Sequence, residues 1–278
     1  MVIDLDVNLS IDPEEVSMVI KDFIKTYVEN SGCKSVLIGL SGGIDSAVTA
    51  LLCKNVLGRE NTKCVFLPDT TTSDLDIKHQ EIIVNKFDLL CEKKDITSIV
   101  QDMKSKCLIK PTDYALANVK ARIRMLLLFE YANMTKSLVC GASNKSELLV
   151  GYFTKYGDSG VDIMPIGDLY KTQVFRLAQY LKVPSELISK PPTAGLIKGQ
   201  TDERELKISY NDLDKILVGL ERKMDLDKII KIAGVKQSDV ERIKKMRINS
   251  QHKRRTPLIP KIGLRTPGLD WRSPVQEG

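Results

Sequence analysis

Residues Val36–Ser46 read VLIGLSGGIDS: an apolar run enters Ser41-Gly42-Gly43 and ends on an acid followed by a hydroxyl. The run from Ser35 to Leu40 reads as a buried strand. The segment from about Asp45 to Leu57 reads as a helix with Ala47, Val48, Ala50, Leu51 and Leu52 as its inner face. A strand that feeds two glycines and then a helix aims backbone N–H groups and the positive end of the helix dipole at one point, which makes an anion site. The glycines permit positive φ and close approach of phosphate oxygens to the backbone. A Walker A loop needs a lysine after its last glycine and a dinucleotide loop needs G-x-G-x-x-G; this stretch has neither. The anomaly is Asp45. A carboxylate beside phosphate is unfavourable unless a divalent cation lies between them, and Mg²⁺ is commonly held by one or two carboxylates plus phosphate oxygens. The plainer reading makes Asp45 a helix-start acid worth about 0.3–1 kcal/mol. Ser-Gly-Gly before it and Ser46 after it, directly behind a buried strand, favour the metal ligand.

Outward from this stretch, Asp12-Pro13-Glu14-Glu15 opens a helix carried by Val16, Val19, Ile20, Phe23, Ile24 and Tyr27, ending near Ser31-Gly32. Cys64–Leu67 is a second short strand, closed by Pro68-Asp69, and Leu138–Gly141 is another. Thr112–Asn133 reads as one long helix and Tyr170–Leu181 as a shorter one, with short helices to about Asn249. Residues 151–167 and 190–201 are irregular. Strand, helix and strand in this order predict an α/β fold: a doubly wound, mainly parallel, Rossmann-like sheet with helices on both faces. No repeat, low-complexity tract or linker divides the chain, so residues 1–278 are expected to form one domain with a basic helical segment from about residue 236.

The chain is 42% hydrophobic and 28% charged, the composition of a globular protein. No apolar run approaches the roughly 20 residues of a membrane span, and the start MVIDLDVNLS lacks a basic stretch followed by an apolar core, so a cytoplasmic protein without membrane contact is expected. The six cysteines are scattered and contain no C-x-x-C pair, as expected of reduced core thiols. Of the net charge of +6, residues 236–265 hold ten Lys or Arg against two acids, leaving −2 for the remainder. An anionic partner near the carboxyl end fits this asymmetry, and so does a solvated surface.

The Ser41–Ser46 sequence SGGIDS resembles the signature of the ATP-pyrophosphatase superfamily, whose fold is of the adenine nucleotide alpha hydrolase type. Residues 141–174, GASNKSELLVGYFTKYGDSGVDIMPIGDLYKTQV, are similar to the central block of ammonia-dependent NAD synthetases, as are residues 190–206, KPPTAGLIKGQTDEREL, and His252-Lys253-Arg254. The resemblance implies that ATP, deamido-NAD and ammonia become NAD, AMP and pyrophosphate through a nicotinyl-adenylate, with Mg²⁺ as cofactor. It implies an ATP site at Gly39, Leu40, Ser41, Gly42, Gly43, Ile44, Asp45 and Ser46, joined by Lys171 and Thr193. It places the metal on Asp45 and Glu147, catalysis on Asp45, Asp158 and Lys171, and deamido-NAD on Arg122, Lys155, Asp162, His252 and Lys253. A homodimer with the dinucleotide near the subunit boundary is also implied, using free ammonia or ammonia from a separate glutaminase.

Each residue has a plainer alternative. Asn144-x-x-Glu147 is a helix-capping box as well as a metal ligand's setting. Arg122 and Arg124 stand about 200° apart around a helix, so they cannot serve one site together; Arg122, on the face of Asn118, is the expected ligand and Arg124 a surface salt bridge. Asp158 sits in a Tyr-Gly-Asp turn, where Asp is common. Lys171 starts a helix, Thr193 follows Pro191-Pro192, and His252 precedes a run of cations. Where many relatives carry Thr after the strand-ending glycine, this chain has Ala142, with Ser143 next. A reactive adenylate needs shielding from water, and 68–74 and 190–201 are the candidate lids. The rival readings are another ATP-pyrophosphatase, such as a GMP synthetase-like or tRNA-modifying enzyme, and a nucleic-acid-binding protein with a relic nucleotide pocket. The last is disfavoured, because aromatics are nearly absent from the basic segment.

Overall fold

The computed structural model describes residues 8–197, 199 and 201–264. Four strands, β1 (Ser35–Gly39), β2 (Thr62–Phe66), β3 (Leu90–Lys93) and β4 (Ser137–Cys140), form one parallel sheet in the order β3-β2-β1-β4. In β1, Ile38 stands opposite Cys64 on one side and Cys140 on the other. β1 is the centre because it is apolar on both faces: Val36, Leu37 and Ile38 are all fully buried, as parallel strands covered on both sides require.

The two faces receive different helices. Val36 and Ile38 pack with Ile20 and Ile24 of α1 (Pro13–Asn30), with α2 (Ile44–Leu57), with Ile83 of α3 (Asp74–Lys86) and with Val174 and Leu177 of α7 (Lys171–Tyr180). Leu37, Val65 and Val139 point the other way, into Val100 of α4 (Thr97–Ser105) and Ile123 and Ala132 of α5 (Asp113–Thr135). The sheet is therefore doubly wound, as its sequence predicts. A second core lies beyond it, where α10 (Tyr210–Glu221), α11 (Leu226–Ala233) and α12 (Gln237–Asn249) pack around Leu213, Ile216, Leu217, Ile229 and Ile243. The short helices α6 (Lys145–Val150), α8 (Ser185–Ile188), α9 (Asp202–Leu206) and α13 (Gln251–Arg254) complete the chain.

Three elements carry too little periodic signal to be read from sequence. α3 buries one apolar residue, Ile83, beside Asp76, His79 and Gln80; β3 is an edge strand whose residues are all half-buried or exposed; α4 buries only Val100. Residues 161–163 extend the opposite edge through a parallel bridge between Cys140 and Ile163.

Candidate active site

The chain leaves β1 toward β2 and β3 on one side and returns to β4 on the other. The tips of β1 and β4 therefore flank a switch point, where open α/β sheets hold their ligands. A cleft of about 370 Å³ opens there. Its floor is the 40–46 turn. Ser41 Oγ accepts from Gly43 N at 3.2 Å, while Ser46 Oγ donates to Gly43 O at 3.0 Å and accepts from Ser41 N at 3.2 Å, so the turn is braced by its own hydroxyls. Gly42 has φ +79°, and a Cβ there would lie 2.3 Å from Asp76 O at the start of α3, so only glycine fits. Gly42 supports the cleft from behind, while Gly39, Leu40, Ser41, Gly43, Ile44 and Ser46 line it.

Three elements deliver the ionic residues. Asp45, in the first turn of α2, accepts from Asn144 Nδ2 at 3.1 Å through Oδ1 and from Lys171 Nζ through Oδ2. Glu147 on α6 makes the capping box its sequence suggests and turns its other oxygen toward Lys171. Its Oε2 accepts from Asn144 N at 3.3 Å as half of a capping box, and its Oε1 lies 3.6 Å from Lys171 Nζ. Lys171 opens α7, is 2% exposed, and has Tyr210 at 5.3 Å beside its ammonium. Burial pushes the Glu147 carboxyl up to about 8, against the pull of Lys171. Burial opposes the charge on Lys171, but Asp45 and Glu147 overcome it and raise its pKa. Asp202 is a third acid on this wall and, unlike the half-buried Asp45 and Glu147, fully enclosed, hydrogen-bonded by Tyr210 Oη at 3.1 Å. Neither Asp202 nor Tyr210 stands out in the sequence, since a helix-start acid and a core tyrosine carry no spacing signal.

Two hard oxygen ligands facing a phosphate cradle suit a Mg²⁺ that takes its other ligands from phosphate and water. Among the described residues no group of three or more His, Cys, Asp or Glu could hold a metal by itself, so Asp45 and Glu147 fit this shared mode and not a closed protein cage.

The cleft is also lined by Asp158, Thr193, Lys253, Ala142 and Ser143. Asp158 Oδ1 accepts from Thr154 N at 2.8 Å; crowding by the cleft walls raises its pKa although the side chain still meets solvent. Thr193 Oγ1 accepts from Gly195 N at 3.1 Å. Lys253 Nζ donates to Gly151 O at 2.7 Å and Phe153 O at 2.8 Å, so this cation of the basic segment is committed to backbone carbonyls at the cleft edge.

Four expected dinucleotide residues lie off the cleft wall. Arg122 is exposed and donates to Lys155 O at 3.3 Å. Lys155 covers the Tyr156 ring, 5.1 Å from its centroid. Asp162 accepts from the edge-strand Val139 N at 2.7 Å, and His252 faces a shallow basic groove with Arg242 and Lys245. Arg124 is not a surface salt bridge. It lines the cleft, donating to Leu67 O at 2.9 Å and to the buried Asp69 at 3.1 Å, because α5 turns that face toward the sheet. Lys120, 4% exposed on the same helix, joins Asp69 Oδ1 (3.4 Å), Thr71 Oγ1 (2.8 Å) and Leu196 O (3.3 Å). It thereby ties together the two candidate lids, and Lys190 of the second also pairs with Asp76 in the first turn of α3. Residues 198 and 200 of the second lid lie outside the described residues.

A phosphate cradle furnished with acids and a buried lysine, in place of a P-loop lysine, marks the ATP-pyrophosphatase class of α/β enzymes. Comparison with known proteins narrows this class. The family profile described as NAD synthase matches residues 16–257, and the chain belongs to that family. It is 43% identical over 252 residues to the NH(3)-dependent NAD(+) synthetase of Archaeoglobus fulgidus, covering 90% of this chain and 97% of that one. The solved NH3-dependent NAD synthetase of Campylobacter jejuni superposes with a TM-score of 0.78 at 32% identity, covering 91% of this chain and all of that one. The NMN synthetase of Francisella tularensis gives 0.81 at 30% identity over the same shares.

Proposed function

We propose that the chain amidates deamido-NAD with ammonia, cleaving ATP to AMP and pyrophosphate. Family membership makes it a carbon–nitrogen ligase; the substrate and the residue roles are our reading. The observation that carries it is the convergence of Asp45, Glu147 and Lys171 from three elements at the tip of β1.

The N–H groups of the 41–43 turn and the positive end of α2 seat the phosphates. Asp45 and Glu147 would hold Mg²⁺, which when bound neutralises phosphate charge. The nicotinate carboxylate attacks the α-phosphorus, the bond to the β-phosphate oxygen breaks, and Lys171 stabilises charge on the departing pyrophosphate. Ammonia adds to the resulting acyl-adenylate, Asp158 orients it and accepts its proton, and collapse of the tetrahedral intermediate releases AMP and amide. The lids clasped by Lys120 keep water from the adenylate. Thr193 meets phosphate from the second lid, and Ser143 takes the place left by Ala142.

Arg122, Lys155, Asp162 and His252 contact deamido-NAD, and their position off the cleft wall favours a homodimer in which the dinucleotide runs toward the partner. Exposed Tyr114, Leu126 and Met134 on α5 supply apolar surface for it. Light scattering at micromolar concentration checks this, and a monomer refutes it. No helix among the described residues is long and apolar enough to cross a membrane, and a cytoplasmic enzyme is proposed. The Francisella likeness supports a second reading with nicotinate mononucleotide as the acid. Incubation with Mg-ATP, ammonium and either acid distinguishes the two: equal NAD and AMP from deamido-NAD is expected, whereas preferential NMN formation, or ADP as product, overturns the proposal.

A further inference from the structure

The device that fixes Lys171 lies behind the cleft. α7 begins at Lys171 without a side-chain cap from Tyr170, leaving the four N–H groups of its first turn in need of partners. Gln173 and Val174 N–H both reach Tyr170 O at 2.9 Å. The other two go outside the helix: Lys171 N donates to Ser146 Oγ at 2.9 Å, and Thr172 N to Asp214 Oδ2 at 2.9 Å. Thr172 Oγ1 adds a 2.8 Å bond to the same carboxylate oxygen, and the Ser146 hydroxyl donates to the other one. Ser146 and Asp214 have no solvent exposure.

The Asp214 carboxylate, carried on α10, therefore caps α7 in place of a residue of its own chain neighbourhood. Through Ser146 it also grips α6, whose next residue is Glu147. Anions at helix N-termini and hydrogen bonds to charged acceptors are both favourable. An apolar side chain would fill this core position without the desolvation that a carboxylate suffers, which pushes Asp214 up to about 6. The charge is retained where two site-bearing helices start.

We propose that Asp214 is a positioning residue for the reaction: by tying the starts of α6 and α7 to one carboxylate, it fixes the Lys171 ammonium against Asp45 and Glu147. This rests on the role given to Lys171 above. Asp214→Asn preserves size and can still accept from Thr172, but turns an N–H toward Ser146 and takes away the acceptor of the Ser146 hydroxyl proton. Ser146→Ala removes the link and keeps Asp214. Steady-state kinetics with Mg-ATP, deamido-NAD and ammonium, run beside the parent enzyme and with thermal melts, provide the test. Each variant is expected to lower kcat on the order of ten- to a hundredfold, the scale of a small misplacement of a catalytic group, with KM for ATP within about twofold. The double variant should be no worse than the worse single one, since both break one linkage. Parental kcat in either folded variant overturns the inference, as does a loss that merely follows the folded fraction. If Asp214→Asn does not fold, Ser146→Ala decides alone. A parent that makes no NAD refutes the proposed function instead, and is distinguishable because it fails before any variant is compared.

Discussion

Gly42→Ala isolates how the phosphate turn is held against α3. The added Cβ would sit 2.3 Å from Asp76 O, 3.0 Å from its carbonyl carbon and 3.2 Å from its Cα, whereas ordinary contacts begin at 3.4 Å. The obstacle is backbone, so the turn or the start of α3 must retreat by about 1 Å, an overpacking strain of about 1–3 kcal/mol. The φ of +79° adds about 1–2 kcal/mol for a residue with a Cβ. The sum, about 2–5 kcal/mol, is a large fraction of the roughly 5–15 kcal/mol that stabilises a typical chain. Gly32→Ala is the control: its φ is +72° and nothing lies within 4 Å of its Cβ, so it carries the conformational strain alone. Melting temperature and KM for ATP, measured on both variants, separate the terms. Gly32→Ala should lower Tm by about 2–6 °C and leave KM unchanged; Gly42→Ala should lower Tm about twice as far or raise KM for ATP at least tenfold. Equal behaviour of the two variants would falsify the claim that α3 abuts the turn.

Lys120→Met leaves Asp69 with the Arg124 ion pair and the two Thr71 donors, and removes the Lys120 bonds to Thr71 and Leu196. A stability loss of about 1–3 kcal/mol and faster protease cleavage near residue 196 are expected in denaturant and digestion series, and parental cleavage would remove the clasp. Burial raises the Cys91 thiol to about 11 and encloses Cys53, Cys64 and Cys140, so only half-buried Cys33 and Cys107 should react quickly with a disulfide reagent at pH 8; six fast thiols would contradict the packing. Asp214, raised from 3.8 to about 6 by burial, binds its proton more tightly folded than unfolded. Its contribution is full below about pH 3.8 and is lost as pH rises through about 6, a fall of order 3 kcal/mol at most. Asp214→Asn should flatten that part of the stability curve, and an unchanged slope refutes the assignment.

The parts of the fold that sequence predicts are those with one dominant signal: the apolar runs of β1, β2 and β4, the glycine turn, and the long α5. α3, β3 and α4 escape because each buries one apolar residue or none, so their periodicity is faint although the sheet needs them. In the site, Asp45 is legible through the glycine turn that precedes it, and Glu147 and Lys171 only through the family resemblance. Arg124 shows the limit: helical geometry correctly separates it from Arg122, but which face turns inward depends on the sheet that α5 covers. Asp202, Tyr210 and Asp214 are invisible for a related reason. What ties them to the site lies far away in sequence, Tyr210 being 63 residues from Glu147 and Asp214 68 from Ser146, and no local pattern encodes such contacts.

The basic carboxyl-terminal segment illustrates how charge changes meaning once folded. As sequence, its cations advertise an anionic partner. In the structure Arg254 donates to Leu148 O at 2.8 Å and Leu149 O at 2.9 Å, the unpaired carbonyls at the end of α6, while Lys253 takes those of Gly151 and Phe153 just beyond. Cations at a helix C-terminus are favourable, and these also fasten α13, which follows α12, to the helix bearing Glu147. α6 is only six residues long, too short to persist unaided. It is held at its start by Ser146 on Asp214 and by its own Asn144 box, and at its end by Lys253 and Arg254. The second core, although remote from the sheet, thus anchors both ends of the element that carries one of the two acids. That gives a physical reason for the matched family region to continue past the sheet to residue 257.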